Sequence, residues 1–90
     1  MSPAQLMHAT LAAWPQGFFD ATFRGRRYGV SNTIHAGGKS RKLYAEELGG
    51  TDFVSLNLYM PDHGDPALRP CEMPVEKVMD FVREAVPEIA

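Results

Sequence analysis

The feature that most narrows the fold is a change of hydrophobic period at Phe18. From Phe18 to Met60, apolar and polar residues alternate one for one, as in strands with one dry and one wet side. Phe19, Ala21 and Phe23 alternate with Asp20, Thr22 and Arg24. Tyr28, Val30 and Ile34 alternate with Arg27, Ser31 and Thr33, and Asn32 is the polar exception on the apolar side. Leu43 and Ala45 oppose Lys42, Tyr44 and Glu46; Val54, Leu56 and Leu58 oppose Phe53, Ser55, Asn57 and Tyr59. Gly25, His35-Ala36-Gly37-Gly38 and Gly49-Gly50-Thr51-Asp52 separate the runs, and glycine supplies the positive φ that tight turns demand. Four strands joined by three short links predict an antiparallel meander.

Helical patterns flank it. Ser2, Pro3 and Gln5 have capping-box spacing with proline at the first helical position, where its missing N–H costs nothing. Ala4, Met7, Leu11 and Trp14 follow at helical spacing and Pro15 forbids continuation, so a helix is expected over 3–14, with Gln5, His8 and Thr10 on its polar side. After Pro74, the residues Val75, Val78, Met79, Val82 and Val86 form a second stripe, broadened by Phe81 and Ala85 and ended by Pro87. Burying those five would stabilise by roughly 1.5–3 kcal/mol each, before the entropy cost. Residues 60–73 hold three prolines and a glycine and read as a loop. The expected fold is a single α+β domain over 1–90: a two-layer sandwich of order αββββα, with the N- and C-terminal helices packed on one face of the four-stranded meander. Its other face would be wet.

Composition limits the function. Hydrophobic content of 44% and charged content of 22% suit a globular chain, and no apolar run nears the roughly 20 residues that span a bilayer. The N-terminus does not read as a signal peptide, and the lone Cys71 allows neither an internal disulfide nor a Cys-rich zinc site, so a cytoplasmic location is expected. The net charge of −2 conceals an asymmetry: residues 1–45 hold six bases and one acid, residues 46–90 three bases and ten acids. Attraction to a polyanion would have to come from the basic first half, around Arg24 to Arg27 and Lys39 to Lys42.

On the wet face the alternation collects Thr22, Arg24, Arg27, Ser31, Thr33, Lys42, Tyr44, Ser55, Asn57 and Tyr59. Of these, Arg24, Arg27, Lys42, Tyr44, Asn57 and Tyr59 are the candidate binding residues, since cations neutralise phosphates and rings stack on bases. Three readings stay open: an ordinary solvated sheet surface, a site for nucleic acid or another polyanion, and an interface for a protein partner or homodimer. Cys71 is the one candidate nucleophile of its kind; the start of a helix after Pro74 would favour its thiolate and the adjacent Glu72 would disfavour it. Asp62-His63-Gly64-Asp65 reads as a turn and not a metal site, His8 and His35 as surface groups, and Glu46-Glu47 as side chains pointing to opposite faces. Lys39-Ser40 after Gly37-Gly38 lacks phosphate-loop spacing. No cofactor is expected.

Three runs carry a resemblance: Gly25-Arg26-Arg27-Tyr28-Gly29-Val30, Lys42-Leu43-Tyr44-Ala45-Glu46-Glu47-Leu48-Gly49-Gly50, and Leu68-Arg69-Pro70-Cys71-Glu72-Met73-Pro74. Together they resemble a small family of uncharacterised bacterial proteins, sometimes labelled peptide methionine sulfoxide reductase. That label implies a thiol enzyme centred on Cys71. Such reductases use a Gly-Cys-Phe-Trp motif, or a cysteine with zinc-binding Cys-x-x-Cys pairs; this sequence has neither, and Trp14 lies far from Cys71 in sequence. Two functions follow as expectations: a non-enzymatic binding module using the open sheet face, and, as its rival, the thiol enzyme.

Overall fold

A computed structural model describes residues 2–88 and shows an α+β fold in which two helices cover one face of a six-stranded antiparallel sheet. Helix α1 (Pro3–Ala13) starts as its sequence dictates: the Gln5 N–H donates to Ser2 Oγ (3.1 Å), and the Ser2 N–H donates to Gln5 Oε1 (2.8 Å). The meander follows as β1 (Gly17–Phe23), β2 (Arg26–His35), β3 (Ser40–Glu47) and β4 (Phe53–Tyr59). The two-residue link between β1 and β2 holds Arg24 at φ 50° and Gly25 at φ 77°, so both central residues are left-handed, as a twist-matched hairpin requires.

Two further strands extend the predicted four. β5 (Ala67–Pro70) pairs with β4, so residues 60–73 are not wholly loop; a proline is tolerated there because an edge strand leaves one side of its backbone unpaired. Helix α2 (Val75–Glu84) stops before Val86, because the residue preceding a proline is driven to extended backbone. Val86–Pro87 form β6, which pairs with β1 and completes the order β5-β4-β3-β2-β1-β6.

The apolar stripe of α2 is therefore rotated from the expected one. Val78, Phe81, Val82 and Ala85 are buried, whereas Val75 at the helix start is exposed and Val86 is 64% exposed. Phe81 is the hub of the core. Its ring centroid lies 5.0 Å from that of Phe23, 5.4 Å from Tyr28 and 6.2 Å from Trp14 of the other helical segment. Tilted and edge-on pairs at these separations add to the burial energy. Leu11, Val30, Leu43 and Leu56 complete the layer between helices and sheet.

Two polar residues lie within this layer. Asn32, the exception in the β2 alternation, donates from Nδ2 to the carbonyls of Leu11 (3.1 Å) and Pro15 (3.0 Å), satisfying the end of α1. Its Oδ1 accepts from Arg41 Nη1 at 2.9 Å. Arg41 is only 4% exposed, so this member of the expected basic hairpin is turned away from the wet face; it shares the inward parity of Leu43 and Ala45. Burial lowers its pKa.

Phe81→Ala is expected to cost about 3–5 kcal/mol in urea unfolding, and Val86→Ala less than about 0.5 kcal/mol. Equal costs would mean that the stripe runs through Val86 after all.

Candidate functional site

The uncovered sheet face is ordered in rows across the strands. Register places Phe18, Ser31, Tyr44 and Ser55 in one row, and Asp20, Gly29, Glu46 and Phe53 in the next. On the other side of the Tyr44 row, Thr33, Lys42, Asn57 and Arg69 line up, followed by His35, Ser40, Tyr59 and Ala67. Of the six candidate binding residues, the fold thus brings Lys42, Tyr44, Asn57 and Tyr59 together on β3 and β4. Lys42 lies directly opposite Asn57.

The two arginines are placed elsewhere. Arg24 leaves the face altogether: from the β1–β2 turn it reaches α2, where it pairs with Glu84 (2.9 Å) and Asp80 (3.4 Å). Arg27 lies on the face at its far end and is held by Asp20 (2.7 Å) and Glu88 (3.2 Å). Arg26 pairs with Glu47 (2.9 Å) and Lys39 with Asp62 (3.1 Å). Folding therefore closes the basic first half of the chain onto the acidic second half. Lys42 and Arg69 make no ion pair among the described residues.

Hydrophobic exposure on this face is greatest at Phe18 and at Val86, which pairs with Thr22; Leu48, over Gly29, and three further rings follow. Phe18 is 89% exposed, Tyr59 46%, Phe53 38% and Tyr44 37%. Phe18 and Phe53 were not among the candidates, although strand parity already groups Phe18 with Asp20 and Phe53 with Ser55. The ring centroids of Tyr44 and Phe53 are 6.3 Å apart, so each limits the other's movement. Phe18, Gly29, Ser31, Tyr44 and Glu46 line a depression of about 460 Å³ on the face.

Cys71 follows β5 and is half-buried at the border of the same face. Its N–H donates to the Ser55 carbonyl (3.0 Å), and its Sγ accepts from Asn57 Nδ2 at 3.4 Å. Asp62 and Asp65 tie their loop down, the first to Lys39 and the second by accepting from Gln5 Nε2 (3.0 Å). Among the described residues, no group of three or more His, Cys, Asp or Glu side chains is placed to hold a metal ion. None of their helices is long and apolar enough to cross a membrane.

A second polar cluster lies where the β3–β4 turn meets α2. Asp52 accepts from Tyr28 Oη (2.7 Å) and from Lys77 Nζ (2.5 Å), and its N–H donates to Glu47 Oε1 (3.3 Å). Hydrogen bonds from Lys77 and Tyr28 hold the Asp52 carboxyl below its ordinary value. Burial, reinforced by the Asp52 carboxylate, pushes the Tyr28 phenol up to about 12. These groups are engaged with one another, so the cluster pins the turn to the helix. Comparison with family models, curated proteins and solved structures yields no match; the geometry of the open face carries the functional argument.

The cluster sets a pH response. Tyr28 holds its proton more tightly when folded, so its contribution is complete below about pH 10 and fades as pH rises toward about 12. Asp52, held low, contributes above the ordinary carboxylate pKa and loses that contribution as pH falls below it. Urea titrations at pH 8 and pH 11.5 are expected to show an alkaline loss on the order of 2 kcal/mol that Tyr28→Phe lacks. A difference between the two proteins that does not change with pH would contradict the linkage.

Proposed function

We propose that this chain is a non-enzymatic interaction domain that binds a protein partner through the uncovered face of its sheet. The observation that carries the reading is the set of exposed rings (Phe18, Tyr44, Phe53 and Tyr59) on a face that neither helix covers. Phe18, Tyr44 and Phe53 occupy adjacent rows, and aromatic residues are enriched where proteins meet. A large rigid ring loses little conformational entropy on binding, which favours it as an anchor.

Ion pairing weighs against phosphate recognition. Arg24 and Arg27 each contact two carboxylates, so offering them to a polyanion means breaking those pairs. One observation keeps nucleic acid as the second reading: Lys42 and Arg69 flank Asn57 in one row. Cys71 lies at the border of the binding face, and in the interaction reading its thiol fills space beside Asn57.

A photo-crosslinking residue replacing Tyr44 tests the proposal, with the same residue at Ala12 on the exposed side of α1 as control. Position 44 is expected to give one discrete protein adduct, competed by unlabelled wild type and Cys71→Ser but not by Tyr44→Glu or Tyr59→Glu. An adduct at twice the chain mass with pure protein identifies the partner as a second copy. Loss of competition by Cys71→Ser would favour the thiol-enzyme reading, and adducts equally from Ala12 would defeat the interaction face. Salt-sensitive oligonucleotide binding that Lys42→Glu abolishes would favour the second reading.

A further inference from the structure

The depression among the rings has a composition that selects its occupant. Phe18 on β1 and Tyr44 on β3 stand on either side of Ser31, and in the neighbouring row Asp20 and Glu46 stand on either side of Gly29. The middle strand thus contributes only a hydroxymethyl group and a bare backbone to the floor. Gly29 has no positive φ, so the backbone does not require a glycine there. Glycine in a strand interior weakens the strand and commonly marks a close approach. At Gly29 one such approach is internal, since an added Cβ would come within 3.3 Å of Leu48 Cδ2.

Charge decides the sign of the guest. Asp20 is compensated by Arg27, which Glu88 also contacts, while Glu46 makes no ion pair among the described residues. The depression therefore has aromatic walls and an uncompensated carboxylate. Spacing decides its size. Neighbouring strands lie about 4.8 Å apart, so side chains two strands apart are rooted about 9.6 Å from each other, and half that gap is about 4.8 Å. That is inside the roughly 6 Å reach of a cation–π contact. A planar guanidinium meets both demands, since it stacks on rings and presents paired N–H donors to a carboxylate.

We propose that the depression walled by Phe18 and Tyr44 and edged by Glu46 receives an arginine side chain of the protein partner. This rests on the interaction reading above and adds the chemistry of one contact. Tyr44, limited by its contact with Phe53, forms one wall, and Glu46 supplies the counter-charge. Asp20, already paired with Arg27, stays as it is.

Titration of the chain with a capped Gly-Arg-Gly peptide, followed by aromatic NMR shifts, reads the site directly. Its capped citrulline counterpart has nearly the same shape without the charge. The arginine peptide is expected to shift the Tyr44 and Phe18 ring signals with millimolar affinity, and citrulline to bind about tenfold more weakly. Glu46→Gln and Tyr44→Leu should each weaken arginine binding by about fivefold or more, and added salt should weaken it further. Glu46 is exposed on the sheet surface, so its conservative substitution leaves the fold intact and keeps the test decisive. Equal shifts from both peptides, no shift from either, or unchanged affinity in Glu46→Gln would overturn the assignment. The crosslinking residue at position 44 is an aromatic photo-reactive one in a chain that retains Glu46, so ring wall and counter-charge are both kept and no arginine-specific signal is required. Failure of the crosslink removes the interaction reading, whereas failure of the peptide titration alone removes only the arginine contact.

Discussion

One-sided burial is the constraint on which the rest of this structure depends. Two short helices supply enough apolar surface to cover one face of a sheet but not both, and both lie on the side where Ala21, Val30, Leu43 and Leu56 point. Phe81 joins the layers by contacting rings from β1, β2 and the end of α1. Asn32 fixes the position of α1 more directionally than apolar packing does, because two carbonyls at the helix end must meet its amide. Everything placed on the reverse face is there because the pleat alternates, and it keeps its contact with water.

The electrostatics follow from topology. β6 returns the acidic C-terminal segment to the side of β1, and α2 lies near the β1–β2 turn, so the arginines of the first half meet carboxylates from the second. These exposed pairs contribute little to stability. Their consequence for recognition is larger. Among the described residues, what remains unpaired on the wet face is one cationic row, through Lys42 and Arg69, and one carboxylate, Glu46, beside the rings. The face therefore offers separate positive and negative features instead of a continuous basic track.

The sequence was most legible where a single local rule acts. Strict alternation with glycine turns located β1 to β4, and the capping box located α1, because those signals depend on neighbours in sequence. The errors fall where a distant partner decides. Val86 fits a helical stripe, but Pro87 and pairing with β1 make it a strand; Ala67–Pro70 reads as loop until β4 offers an edge. Arg41 reads as part of a basic hairpin, but its parity with Leu43 places it inward, where Asn32 receives it. For the candidate site, parity correctly grouped Lys42, Tyr44, Asn57 and Tyr59. Arg24 was misplaced because a turn residue at φ 50° no longer obeys strand alternation. Phe18 was overlooked because an aromatic residue next to Phe19 reads as core unless parity is followed to the strand's first turn.

The wetness of the ring-bearing face is the central claim, and hydroxyl-radical footprinting of the free chain, at a concentration where it sediments as a monomer, tests it most directly. One-sided burial predicts rapid oxidation of Phe18, Tyr44 and Tyr59 with protection of Phe23, Tyr28 and Phe81. Protection of Tyr44 and Tyr59 to the level of Tyr28 would contradict it.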